Sequence, residues 1–398
     1  MGRRGELRRG LPALGVAIPI VILFVTILSI PLTAAQKLGL SDAQISSWIV
    51  TLYGVATALG LVLAIRYRQP LILTGNVFAI IFIASVHGQV SYRELIGASI
   101  LAGAVVAILG AIGLSGHLAA WIPSPIVMGL LAGAVLPYVA GVFTALDQER
   151  LVVGSTIAAY ILGRRFLTSR FPAIFPALLV GIAVTIVSGR LGQTSIHWTL
   201  PTIVVTAPTF TLRGFATATP VLVLLMTLQA NVPSVVYLRS QGYTPPERTV
   251  DVVSGLGTVA GSLLGPTAIS IPVLLTPLVA GPDAGEHAIR HWSAYLAGGA
   301  GVGIALLAGV AAAVTAVVPL QLLAALAGLA LVGVLLSAIQ EVARGPLVLG
   351  PVFTFAIALS KLSLFGLSAF FWAIVFGMAI SLILERDAMR AARLPRRA

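Results

Sequence analysis

Long, nearly uncharged apolar runs follow one another along the chain and restrict what it can fold into. Hydrophobic residues make up 58% of the 398 positions and charged residues 9%, against about 25% charged in soluble proteins. A soluble enzyme, a disordered chain and a collagen-like chain are therefore excluded. The runs predict an all-α polytopic membrane protein, because a β-barrel would show alternating strands of about 10 residues instead. Twelve runs are clear candidates for membrane segments: 11–34, 44–65, 93–115, 124–146, 150–165, 171–189, 219–239, 250–264, 291–317, 320–340, 346–362 and 365–385.

Two further apolar stretches, 70–86 and 266–280, are shorter and interrupted. With them the chain has fourteen transmembrane segments, which leaves no room for a separate soluble domain. The fourteen segments divide into two halves of seven. Because an odd number of segments per half places the two halves in opposite orientations across the membrane, the count predicts an inverted repeat. The stretch 54–60 begins and ends with glycine and resembles the sequence of 255–261, which lies 201 positions later. Each of these stretches precedes one of the broken segments. The alternative is that helices rich in small residues look alike, because such residues serve helix packing.

Basic residues are distributed unevenly between alternate loops. The net charge is +12, but no basic stripe with interleaved aromatic residues indicates nucleic-acid binding. With cytoplasmic termini and both broken segments crossing the membrane, 18 of the 24 basic residues face the cytoplasm. This bias predicts a multi-pass protein of the cell inner membrane with cytoplasmic N- and C-termini. The six basic residues on the other side are Lys37, Arg93, Arg150, Arg190, Arg213 and Lys361.

The two broken segments, which are the third and the tenth, predict a binding site. Each begins with proline and passes a polar point, Thr74-Gly75-Asn76 or Ser270-Ile271-Pro272, into a short half-helix. Two half-helix N-termini that face each other would bind an anion through free N–H groups and positive dipole ends, without any charged side chain. Asn76 and Ser270 are suitable N-cap residues, and Pro272 suits a first helical turn. The alternative is that both are ordinary kinks with local caps.

Polar side chains elsewhere in the apolar segments are few. Buried amides are costly unless they are paired, so Gln229 and Asn231 either join helices or line the substrate cavity. The twelve acidic residues and five histidines fall in loops or at segment ends, so no buried proton carrier is expected. The chain has no cysteine, no zinc-protease motif and no nucleotide loop. A metalloenzyme and an ATP-driven pump are therefore not expected, and no metal or cofactor is predicted.

Several strings resemble the benzoate/proton symporter family along nearly the whole chain. They are Ala43-Gln-Ile-Ser-Ser-Trp48 with 66–70, Asn231-Val-Pro-Ser-Val-Val-Tyr-Leu-Arg239 with Gly242-Tyr243 and Pro245-Pro246, then 261–281, 325–331 and Phe371-Trp372. The resemblance implies the fourteen-segment inverted-repeat fold that this family shares with uracil/xanthine permeases and sulfate permeases. In that fold a core domain holds the substrate between two half-helices and moves against a gate domain.

The resemblance also implies a division into domains. The core comprises 1–116 and 219–318, the gate comprises 117–190 and 319–398 with a basic cytoplasmic tail, and 191–218 is an extracytoplasmic connection.

The chain departs from the family where substrate contact is expected. Residues 76–78 replace a Ser-Thr-Pro-type turn, and 267–270 replace a His-Thr-x-Asn-like string. Gln229 stands one residue before the family's glutamine position, about 100° around an α-helix.

The sequence therefore predicts a secondary active transporter, not an enzyme, for a small aromatic or apolar carboxylate such as benzoate. Protons are expected as a second partner, carried by the substrate carboxylate itself, and a homodimer through the gate domain is expected from the resemblance. The alternatives are a nucleobase or other small organic anion permease and an anion channel on the same scaffold. The predicted substrate-binding residues are Thr74, Gly75, Asn76, Val77, Phe78, Gln229, Asn231, Thr267, Ser270 and Ile271.

Overall fold

The computed structural model describes residues 20–393, except 22, 26, 116–121, 168–171, 193–198, 345, 361, 363, 366 and 368. The start of the first predicted segment, the 116/117 domain boundary, Lys361 and the end of the basic tail lie outside these residues. The described part is mostly helical, with one two-stranded sheet formed by β1 (Thr74–Gly75) and β2 (Ile269–Ser270). Its helices are α1 (Ser29–Lys37), α2 (Asp42–Tyr67), α3 (Val77–Ser85), α4 (Tyr92–Ile112), α5 (Ser124–Gln148), α6 (Arg150–Phe166), α7 (Ile174–Val187), α8 (Leu212–Ser240), α9 (Glu247–Ser262), α10 (Thr276–Ala280), α11 (His291–Leu306), α12 (Ala308–Val317), α13 (Leu320–Arg344), α14 (Leu349–Leu359), α15 (Ala369–Leu384) and α16 (Arg386–Arg393).

Most of the predicted apolar runs coincide with helices in the described part of the chain. Five helices, α2, α4, α5, α8 and α13, are long and apolar enough to cross a membrane. Two boundaries differ from the sequence prediction. The run 291–317 forms two helices, and α8 begins at Leu212 rather than near residue 219, because the Thr211 side chain accepts a hydrogen bond from the Gly214 N–H and caps the helix there. The number of membrane crossings and the inverted repeat stay predictions.

Short-range sequence signals define other helix ends. The α4 helix begins with a capping box, in which the Ser91 hydroxyl accepts from the Glu94 N–H and the Glu94 carboxylate accepts from the Ser91 N–H. It ends at Gly113, whose φ of 74° is the left-handed conformation that glycine adopts without strain. The Glu385 carboxylate, which follows α15, accepts hydrogen bonds from the first N–H groups of α14 and so fixes the two helices to each other.

Two long helices each contain one π-helical turn, which sequence periodicity does not predict. These turns span Val50–Val55 in α2 and Thr227–Asn231 in α8. A π turn accommodates an extra residue and rotates the side chains that follow it. The α8 turn contains the polar residues Gln229 and Asn231, so their relative directions differ from those in a regular α-helix.

The broken segments lie inside the helix assembly. Residues 78–84 of α3 are all buried, and α3 packs against α1, α5 and α8. Elsewhere α4 packs against α8 and α9, α2 against α11, and α5 against α13 and α14. Irregular backbone inside an apolar assembly is tolerated only where protein groups or water satisfy it, and this enclosure supplies such groups.

Glycines bring the backbones of α4 and α9 into direct contact. A Cβ atom added at Gly255 would lie 2.4 Å from the Gly103 carbonyl oxygen and 2.5 Å from the Ala107 nitrogen. No side chain fits between these helices, so small residues at this crossing set the distance between them.

We therefore expect Gly255→Ala to destabilise the protein by about 1–3 kcal/mol, the range for overpacking of a tight contact. The measurement is thermal unfolding of the purified protein in detergent. Gly303→Ala is the matched control, because Gly303 is also helical and its added Cβ would contact nothing within 4 Å. Equal unfolding temperatures for the two variants would contradict the close contact between α4 and α9.

Candidate functional site

The two broken segments meet as a short antiparallel sheet. Thr74 pairs with Ser270 and Gly75 with Ile269, and the Asn76 N–H donates to the Ala268 carbonyl at 2.7 Å. Residues almost two hundred positions apart in sequence thus satisfy each other's backbone groups. This is the meeting of the two segments that their matching positions in the sequence predict.

Asn76 is the N-cap of α3, as predicted. Its Oδ1 accepts hydrogen bonds from the Phe78 N–H at 2.9 Å and the Ala79 N–H at 3.1 Å. The residue is 5% exposed, so the cap satisfies N–H groups that have no access to bulk water. The first half-helix therefore begins at Val77, directly after the sheet.

The amide nitrogen of Asn76 joins the two broken segments to α8. Its acceptors are the Ser270 Oγ at 3.1 Å, the Leu225 carbonyl at 3.1 Å and the Gln229 Oε1 at 3.3 Å. One side chain thus connects three elements at the point where they converge.

The second segment differs from the sequence prediction. Ser270 is not an N-cap, because it lies within β2, and no regular helix begins at Pro272. The residues after Pro272 form a turn, and the regular helix α10 begins only at Thr276. The Ile271 N–H donates instead to the Asn231 Oδ1 at 2.9 Å. A side chain of the neighbouring α8 thus performs for this segment the role that Asn76 performs for the first.

A cavity of about 40 Å³ lies where the broken segments meet. Eight of the ten predicted binding residues line it: Thr74, Gly75, Asn76, Val77, Phe78, Gln229, Ser270 and Ile271. Asn231 lies behind this wall and holds Ile271, and Thr267 is buried outside the lining. This volume holds water-sized molecules, and the walls must separate to admit anything larger.

The lining combines apolar walls with unused backbone donors. The other lining residues are Phe24, Ile27, Leu52, Tyr53, Ile80, Ala230, Pro272, Val273, Leu274 and Leu275, and none of the lining side chains is charged. Within the described part of the chain, no hydrogen bond uses the N–H groups of Val77, Val273 or Leu274. Free N–H groups at a helix start or in a turn attract anions.

Sequence reasoning missed the residues that hold the second segment from outside the cavity. The Trp48 Nε1–H donates to the Pro266 carbonyl at 2.8 Å, and the Ile269 N–H donates to the Thr258 Oγ1 at 2.8 Å. Trp48 ends one of the strings that carry the family resemblance, so its position was visible in the sequence, but its hydrogen-bond partner was not.

The prediction that the chain has no buried acid is wrong. Asp251 is 6% exposed, and the Asn231 Nδ2 donates to its Oδ1 at 2.8 Å. Asp251 stands four residues after the start of α9, so a hydropathy reading assigns it to the segment end. Neighbouring helices cover it in the fold. Among the described residues, no group of three histidine, aspartate or glutamate side chains can hold a metal ion.

Comparison with known proteins identifies similar sequences along nearly the whole chain. The profile of the family described as "Benzoate membrane transport protein" matches residues 12–383. A protein of that name from Acinetobacter baylyi is 28% identical over 360 residues, which cover 88% of this chain and 89% of the relative. The Escherichia coli inner membrane protein YdcO is 27% identical over 370 residues, covering 89% and 92% of the two chains.

Solved structures share the fold at low sequence identity. The transmembrane domain of a cyanobacterium bicarbonate transporter, BicA, superimposes with a TM-score of 0.54 at 15% identity, covering 96% of this chain and 97% of that one. The murine Solute Carrier 26 family member A9 anion transporter in the inward-facing state gives a TM-score of 0.62 at 13% identity, covering 95% and 68%.

We expect Asn76→Ala to lower stability by about 1–2 kcal/mol, because the variant loses the N-cap and leaves buried N–H groups unsatisfied. The measurement is thermal unfolding in detergent. The control is Ser337→Ala, on the exposed face of α13, where the hydroxyl donates only to the Gly333 carbonyl within its own helix. Unfolding of both variants at the wild-type temperature would contradict the structural role of Asn76.

Proposed function

The chain belongs to the benzoate membrane transport protein family, and from this premise we propose that it is a secondary active transporter of a small aromatic or apolar carboxylate. One observation carries the proposal: the cavity between the broken segments joins free backbone N–H groups to apolar walls and contains no charged side chain. The name of the Acinetobacter relative, benzoate membrane transport protein, supports benzoate as the first substrate to test.

The proposed pose follows from the chemistry of the lining. The carboxylate lies against the N–H groups of Val77 and Val273, where helix and turn dipoles favour negative charge by about 0.5–2 kcal/mol. The aromatic ring lies against Phe24, Ile27 and Tyr53. Asn76, Ser270 and Gln229 orient the carboxylate through the hydrogen-bond network that they already form.

The proposed mechanism is alternating access of a core domain against a gate domain. The contacts support the division, because α2, α4, α8, α9 and α11 pack against one another, whereas α5, α6, α7, α13, α14 and α15 pack mainly among themselves. We place the boundaries at 1–116 with 219–318 for the core and 117–190 with 319–398 for the gate. The cavity of about 40 Å³ is too small for an aromatic acid, so binding requires its walls to move apart.

Fourteen crossings in an inverted repeat are part of the proposal. Antiparallel pairing of β1 and β2 supports it, because equivalent segments of two inverted halves enter the membrane from opposite sides. The similarity between the two stretches that begin and end with glycine supports it too. Gly60 approaches the backbone of Ile72 and Leu73 in the first broken segment, and Gly261 approaches Thr267 in the second.

Proton coupling, an inner-membrane location with cytoplasmic termini and a homodimer through the gate domain complete the proposal. The excess of basic residues in alternate loops supports the orientation. The dimer rests only on the family resemblance, and cross-linking of the purified protein tests it.

The direct test is uptake of labelled benzoate into proteoliposomes under an imposed pH gradient. Protein-free liposomes are the control, because neutral benzoic acid crosses lipid unaided. Saturable uptake above this background supports the proposal, and equal uptake with and without protein rejects benzoate. Competition by uracil or xanthine, but not by aromatic acids, would indicate a nucleobase permease. Large non-saturating currents would indicate an anion channel.

We expect Ser270→Leu to abolish carrier-dependent benzoate uptake while the protein stays folded, since the larger apolar side chain fills the cavity and removes an acceptor of Asn76. Ser337→Leu is the control, because this serine lies exposed on α13. Uptake is measured with matched amounts of reconstituted protein. Wild-type uptake by Ser270→Leu would locate the substrate elsewhere.

A further inference from the structure

Asp251 is a buried acidic residue that lies outside the lining of the candidate substrate cavity. Among the acidic side chains whose exposure the structure describes, it alone is buried. The Asn231 amide donates a hydrogen bond to its Oδ1 at 2.8 Å. A carboxylate removed from water without a cationic partner is costly in its ionised form, which makes it a group whose charge responds to its surroundings.

A second cavity connects Asp251 with the protein surface. It has a volume of about 330 Å³, and Ser115, Asn231 and Asp251 form its inner part. Its outer part is lined by Arg239, Glu247 and Arg248, of which the two arginines are exposed. The cavity is large and polar enough for water, so a proton from solvent can reach the buried carboxyl.

Asn231 links this second cavity to the candidate substrate cavity. Its Nδ2 donates to Asp251 at 2.8 Å, and also lies 3.4 Å from the Ser254 Oγ. Its Oδ1 accepts from the Ile271 N–H at 2.9 Å, and Ile271 lines the substrate cavity. The amide therefore lies between the buried acid and the second broken segment, and its orientation is set by both.

The charged side chains that line the cavity beside Asp251 come from α8 and α9. Glu247 and Arg248 precede it on α9, and Arg239 of α8 pairs with Glu247. On α2, the Tyr67 hydroxyl donates to the Thr249 hydroxyl at 3.2 Å, and Arg66 is its neighbour in sequence. On the α4 side, Gly110 approaches the Asp251 Cβ, so that helix places no charged side chain there. In the described part of the chain, no ion pair involves Asp251, and His117 lies outside the described residues.

We propose that Asp251 is the proton-binding residue of the transport cycle and that Asn231 communicates its charge state to the substrate-binding segment. This inference rests on the proposed function and replaces the expectation that the substrate carboxylate itself carries the proton. An anionic substrate near Ile271 disfavours a second negative charge beyond Asn231, so a proton from solvent, entering through the second cavity, adds to a carboxylate oxygen of Asp251. By linkage, proton binding strengthens substrate binding by the same factor.

The coupling has a direct structural consequence. Ionised Asp251 holds the Asn231 amide by a charge-assisted hydrogen bond, and this keeps the Asn231 Oδ1 on the Ile271 N–H. Protonation weakens the first bond and loosens the attachment of the second broken segment to α8. Arg239 and Arg248 belong to the set predicted on the cytoplasmic side, so in this conformation the proton exchanges with the cytoplasm.

The test separates substrate exchange from proton-driven accumulation. We compare the wild type, Asp251→Asn and the control Asp147→Asn, which makes the same chemical change at a carboxylate with 82% of its side chain exposed. The readout is the initial rate of benzoate uptake under a pH difference of one unit, because neutral benzoic acid that crosses lipid unaided reaches the same final accumulation without protein. We expect the wild type and Asp147→Asn to take up benzoate faster than protein-free liposomes. We expect Asp251→Asn to show no gradient-driven uptake above that background while still exchanging labelled for unlabelled benzoate without a gradient.

The outcomes distinguish this inference from the proposed function. If Asp251→Asn takes up benzoate under the pH gradient as fast as the wild type does, the assignment of the proton to Asp251 is overturned. Absence of benzoate exchange in the wild type overturns the proposed substrate, and this inference with it. If Asp251→Asn does not fold, Asp251→Glu is the test variant. Its carboxyl group stands on a longer side chain, so we expect it to keep proton coupling but to shift the pH dependence of transport. An unchanged pH profile in that variant overturns the proposal.

Discussion

The structure depends on satisfying the backbone polar groups of two non-helical segments inside an apolar assembly. Water is scarce there, so each unpaired N–H or carbonyl costs several kcal/mol in hydrocarbon, about the order of a lost hydrogen bond. The antiparallel pairing of Thr74–Gly75 with Ile269–Ser270 satisfies some of these backbone groups and so removes part of this cost. Neither segment can adopt its conformation alone, because each is the hydrogen-bond partner of the other.

Two asparagines satisfy much of the remaining backbone, and they do so differently. Asn76 caps its own helix and reaches across to Ser270 and α8. Asn231 stands on α8 and accepts the Ile271 N–H from a segment that lacks a cap of its own. The first segment is therefore fixed by local chemistry, whereas the second is fixed from outside. Because Asn231 also bonds to Asp251, the second segment is the one on which the proposed change in the charge of Asp251 would act.

The backbone N–H groups that have no acceptor at the cavity determine which ligands the site favours. They offer a positive potential without a charged side chain, and the surrounding walls are apolar. Such a site suits an anion with an apolar body, because the carboxylate replaces its hydration by backbone donors while the ring replaces water by hydrocarbon contacts.

Much of this could be predicted from the sequence, because the relevant signals are local. Hydrophobic run length determined the helices, and the polar points in 70–86 and 266–280 determined where they break. The capping preference of asparagine determined the start of α3 at Val77. Seven of the eight predicted residues that line the cavity lie in these interruptions, and Gln229 reaches the cavity from α8.

The tertiary structure alone decided which polar groups meet. The π turn at Thr227–Asn231 directs Gln229 and Asn231 to different partners, and no periodicity indicates it. The Ile271 N–H donates to Asn231, a residue from another helix, and α10 begins at Thr276 rather than Pro272. The burial of Asp251 depends on the packing of α9 against α4 and α8. The length of the apolar runs, the positions of the breaks and the helix caps are encoded by residues that are close together in the sequence. Hydrogen-bond partners and burial depend on residues far apart in the chain, and only the folded structure brings these residues together.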